Sequence, residues 1–187
     1  MGIMKLGRGW RRRAARLLRA GRRSEGGATL IEFSMVMLPF FILLFGIFEV
    51  GFVFWGTYEL ENATEDAARM IRTGQVHAGN IDEAGFKTQV CSRVSLLANC
   101  TTKLRVDVQN YDSFTSLNPP SPLDAQGALK EQGFSYLPGG PQKVVLVTSF
   151  YEWPLLNIIS SMSLSNMASG NRLLRASAAF RNEPFPE

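Results

Sequence analysis

The stretch "ATLIEFSMVMLPFFILLFGIFEVGFVFW", residues 28–55, decides how the chain is read. No charged residue stands between Phe33 and Phe48; Glu49 interrupts, and apolar sequence resumes to Tyr58. A bilayer core takes about 20 apolar residues in a helix, and residues 33 to about 55 supply them. Trp55 and Tyr58 stand where an aromatic belt would mark the far interface. Glu49 falls near that outer end, where its carboxylate would reach headgroups or face a partner helix. Pro39 removes a backbone donor inside the helix and predicts a kink. At the near end, Glu32 is costly: an unpaired carboxylate in a membrane helix costs about 2.5–3.5 kcal/mol at the centre, and less near the interface.

Charge is divided unevenly along the 187 residues, whose formal net charge is +4. Residues 1–27 carry nine Lys or Arg against one Glu, whereas residues 28–187 carry eleven against fifteen Asp or Glu. The basic character belongs to a tip, so a basic body for nucleic acid is absent and no nucleic-acid partner is expected. Positive charge is retained on the cytoplasmic side, so the tip is predicted inside and residues 60–187 outside. An ordinary secretory cut is not expected, because large residues dominate after the apolar run.

Catalytic patterns are missing. The single histidine, His77, lies in the glycine-flanked stretch "TGQVHAGN", and no G-x-S-x-G accompanies it. "LPGGPQK" lacks the G-K-[ST] ending of a phosphate loop, and Asp82 with Glu83 read as helix N-terminal charges. One His and two separated Cys make no metal-ligand cluster. No catalytic residue, metal or cofactor is expected, and the chain is not read as an enzyme.

A cut between Gly27 and Ala28 accounts for Glu32. It would leave a cationic amine at Ala28, with Glu32 one helical turn away at i+4. In a bundle of such helices, each Glu32 would face a neighbour's amine, offsetting the burial cost and setting the axial register. The pattern resembles the processing site of type IV prepilins, in which a basic leader ends in Gly and Glu is the fifth mature residue with an aromatic after it. Gly27, Ala28, Glu32 and Phe33 match that site one for one. More closely, "GATLIEFSMVMLPFFILLFGIFEVG" with "ENATEDAARMIRTGQV" resembles the TadE-like pseudopilins of the tight-adherence, Flp-type pilus system. The resemblance implies maturation by an inner-membrane prepilin peptidase and assembly with other pilin and pseudopilin subunits at an inner-membrane platform, within membrane lipid. It also implies a basic leader of residues 1–27 and a helix over 28–73, followed by an extracytoplasmic domain over 74–187. The alternative is an uncleaved single-pass membrane protein whose outer domain binds a partner.

Beyond the apolar run, Leu60, Ala63, Ala67, Met70 and Ile71 recur at helical spacing, and Gly74 is placed to end the helix. "NIDE" predicts a second helix with Asn80 as N-cap and Glu83 three residues on, and with Phe86, Val90, Val94 and Leu97 as its apolar stripe to about residue 98. Three strands are predicted: 103–111, with Leu104, Val106 and Val108 on a buried face and Asp107 opposite; 143–153, the central one, closed by Pro154; and 171–180. The Pro- and Gly-rich stretch 112–142 reads as irregular, and 155–170 as a partly apolar link. The expected class is α+β: a long N-terminal helix, a second helix and a small antiparallel sheet on the outer half of the first helix. With residues 60–187 outside, Cys91 and Cys100 lie in a disulfide-permissive compartment. A bridge there would tie the second helix to the first strand; two free buried thiols are the other reading.

Overall fold

The computed structural model describes residues 25–156 and 164–185. The basic tip, residues 1–24, and the middle of the apolar link, residues 157–163, lie outside the described residues. Helix α1 spans Glu25–Arg72 and continues through Pro39. It ends at Gly74, whose φ of +76° suits a residue without a Cβ. Two short helices, α2 (Gln75–Ala78) and α3 (Glu83–Cys91), precede α4 (Cys100–Lys103). Strands β1 (Arg105–Tyr111), β2 (Val144–Trp153) and β3 (Arg172–Arg181) form one antiparallel sheet in the order β1-β2-β3. Val108 is opposite Val147, which is opposite Ala178. The class is α+β, with the most buried strand in the middle.

The chain divides into two units, residues 1–46 and residues 47–187. The second has its own core. Along α1, the buried positions are Val53, Gly56, Leu60, Ala63, Thr64, Ala67, Ala68 and Ile71. Their spacing keeps one stripe of the helix turned inward. That stripe joins Phe86 and Val90 of α3 with Val106, Val108, Val145, Val147, Tyr151 and Leu174 of the sheet in one core. Most helix residues on the stripe are small, so the sheet approaches closely. At Gly56 an added Cβ would stand 2.8 Å from the Trp153 ring.

The opposite sheet face is covered too. Phe150, Met167 and Leu173 form a second cluster with Leu123, Leu129 and Phe134 from the irregular connections. Residues 135–137 also pair with the outer edge of β1: Val108 N–H donates to the Ser135 carbonyl, and Leu137 N–H to the Val108 carbonyl. This layer corrects the expected solvent face of β1. Asp107 is only 4% exposed, and its carboxylate accepts the Ser135 N–H and the Gln109 side-chain amide, at 2.9 Å each. A buried carboxylate needs such partners.

Two helix boundaries differ from expectation. Asn80 adopts φ +46°, and Ile81 N–H bonds back to the Val76 carbonyl, so the chain turns before the helix opens. Asp82 is the N-cap instead, its carboxylate accepting the Gly85 N–H at 2.8 Å. Helix α3 then stops at Cys91, short of the expected residue 98. Leu97 is still buried and Val94 partly so, but both reach the core from a loop held by contacts outside the helix.

Candidate functional site: the N-terminal helix and its clamp

Near its start, α1 contains Gly26 and Gly27, which weaken helix locally because glycine has the most backbone freedom to lose. Residues 29–40 are exposed on every side of the helix. Leu30, Ile31, Phe33, Met35, Val36 and Leu38 are all among them. A helix apolar all round belongs in lipid or among other helices. This helix is long and apolar enough to cross a membrane. Within this exposed sleeve, Glu32 makes no hydrogen bond or ion pair to any described residue. The nearby Ser34 hydroxyl satisfies itself on the Leu30 carbonyl at 2.7 Å, as polar groups in lipid-type helices do. The carboxylate one turn after Ala28 is thus presented outward, with no partner among the described residues.

Further along, α1 changes from sleeve to clamp. Glu59 receives four donors: the Ser95 and Leu96 backbone N–H groups at 2.9 and 3.0 Å, the Ser95 hydroxyl at 2.7 Å and the Trp55 indole at 3.1 Å. Arg93 pairs with Asp66. Cys91 and Cys100 are joined by a disulfide, with Cα atoms 5.6 Å apart. The Tyr151 hydroxyl donates to the Ala98 carbonyl at 2.7 Å. Together these pin the loop between α3 and α4 to the helix and to β2. Sequence reasoning missed Glu59 altogether; its backbone donors lie 36 and 37 residues away, and the Trp55 indole one turn before it does not by itself mark it.

Other groups have structural partners. His77 Nε2 lies 2.7 Å from the Gly139 carbonyl, and its ring meets Phe185 at 5.2 Å. Glu83 pairs with Lys87. Among the described residues, no group of three or more His, Cys, Asp or Glu is placed to hold a metal ion.

Residues 27–69 match the family model described as TadE-like protein. No curated protein and no solved structure matches the chain. The exposed apolar sleeve, the carboxylate at its mouth and the first part of the clamp all fall within residues 27–69, and over that length the chain is similar to TadE-like proteins.

Proposed function

We propose that the protein is a minor pilin-like subunit of a Flp-type pilus, matured by prepilin peptidase between Gly27 and Ala28. It is held in the bacterial inner membrane by the apolar part of α1, with residues 1–27 cytoplasmic until removed and residues 74–187 in the periplasm. It works by assembly rather than by chemistry, alongside other pilin subunits and the inner-membrane platform. The observation that carries this reading is the outward Glu32 carboxylate, without a partner among the described residues, in an otherwise apolar exposed sleeve. After scission, the Ala28 ammonium of a neighbouring helix is a fitting partner, because both charges lie one turn apart at the same helix end. The two glycines before Ala28 favour the local unwinding that a protease needs at its scissile bond.

The test is the N-terminus of the protein isolated from native membranes, read by mass spectrometry. A chain beginning at Ala28 is expected. Gly27→Leu is expected to leave the leader in place. Glu32→Gln is expected to be cut normally, yet to lose most of its incorporation with other subunits. An intact leader in cells holding the peptidase would instead favour the uncleaved single-pass protein. Normal assembly by Glu32→Gln would remove the pairing.

A further inference from the structure

Glu49 is the second carboxylate of the apolar run, and the pairing of Ala28 with Glu32 leaves it unexplained. Its Oε1 accepts the backbone N–H of Leu156 at 2.5 Å. Leu156 lies three residues beyond Trp153, where β2 ends. Trp153 stacks its ring against α1 at Gly56, and Pro154 closes the strand. Between Trp153 and Leu156 the chain therefore continues along α1, from the level of Gly56 to that of Glu49. Those seven helical residues correspond to about 10 Å at ~1.5 Å per residue. The direction is from Gly56 toward Glu49, against the chain direction of α1.

The level reached defines the surroundings. Trp55 and Tyr58, both exposed, are the aromatic pair that marks a membrane interface. Glu49 precedes them by six and nine residues, about 9–13 Å along the helix axis toward the lipid side. Phe48 and Phe52 are exposed beside it, and the Leu156 side chain is 71% exposed. In water this arrangement has little to recommend it, since a carboxylate and an amide are both well solvated and an outward leucine is not. In lipid each part has a reason. Carboxylate and amide satisfy one another where no water would, and the side chain turned outward is apolar.

We propose that residues 154–156, directly after β2, insert into the outer leaflet of the membrane crossed by α1, with Leu156 as the lipid contact. The Glu49–Leu156 hydrogen bond is the lock that holds it at that depth. The occupant of this surface is the acyl-chain region of the bilayer, by continuity with the apolar helix beside it. The proposal rests on the reading of α1 as a membrane span.

The test uses the full chain, disulfide intact, in vesicles of phosphatidylethanolamine and phosphatidylglycerol. An environment-sensitive fluorophore is placed on one added cysteine at a time: Leu156→Cys, Phe45→Cys within the helix, or Phe114→Cys beyond the opposite end of β1. Spin-labelled acyl chains serve as quenchers. The labels at 45 and 156 are expected to be blue-shifted and strongly quenched, and the label at 114 neither. A label at 156 that behaves like the one at 114, while 45 is quenched, overturns the insertion and leaves the span intact. Absence of quenching at 45 overturns both. Adding Glu49→Leu to the Leu156→Cys protein is expected to reduce quenching severalfold, whereas Glu49→Gln, which keeps an acceptor, preserves it. Unchanged quenching with Glu49→Leu removes the lock.

Discussion

Tyr136 shows how one side chain reports the layer built over β1. Its hydroxyl donates to the Ile81 carbonyl at 3.2 Å, and its ring meets Phe86 at 5.8 Å. Burial pushes its phenol up, and the nearby Asp82 and Glu83 carboxylates add to the effect, to about 12. Burial also raises Tyr151. An acid whose folded pKa is raised favours the fold in its neutral form. The contribution of Tyr136 is therefore complete below its ordinary pKa of 10.0 and is lost as pH rises through about 12. In a tyrosinate absorbance titration of the four tyrosines, Tyr136 and Tyr151 are expected to ionise last, together with alkaline unfolding. Tyr136→Phe should remove part of that late step and lower stability by about 1 kcal/mol, the usual worth of a hydrogen bond. Ionisation of all four tyrosines near pH 10 without unfolding would contradict the packing of residues 135–137 on β1. At the same scale, Asp107 and Glu59 show that a carboxylate's role is set by what arrives from elsewhere. One was expected in solvent and is buried; the other carried no signal and receives four donors.

Among the elements, the loop between α3 and α4 is held by a disulfide and polar contacts rather than by strand or helix pairing. The disulfide closes a loop with a sequence separation of 9. A chain-entropy estimate for a loop of that length gives about 2–3 kcal/mol. Reduction is expected to lower the urea midpoint accordingly, while the Glu59 and Asp66 contacts keep the loop near α1. The check is a pair of denaturation curves with and without reductant; equal midpoints would mean that these polar contacts alone hold the loop. The early stop of α3 has the same origin. Helix propensity would carry the pattern from Phe86 to Leu97 as one helix. The bridge at Cys91 and the Ser95 and Leu96 amides drawn to Glu59 favour the loop instead.

In the molecule as a whole, α1 has two kinds of surroundings. Its residues 29–40 are exposed on all sides and mostly apolar, while the stripe from Val53 to Ile71 is one wall of the core. Leu60→Ala, at a fully buried position, is expected to cost about 2–5 kcal/mol in detergent micelles. Leu43→Ala, at an exposed position of the same helix, should change the urea midpoint little there. Comparable shifts for both would mean that the sheet does not depend on the helix. The sequence by itself determined the lipid-type run, the inward stripe of α1, a central apolar strand between two others, and the Gly27–Ala28–Glu32–Phe33 pattern. Each is written in contiguous residues as a period, a charge or a breaker. Only the tertiary structure decided that Asp82 rather than Asn80 opens α3, that Asp107 is covered, that Glu59 gathers the loop, and that Glu49 meets Leu156 across 107 residues. Those outcomes depend on which distant backbone groups lose water when the chain closes, and no local stretch of sequence encodes that.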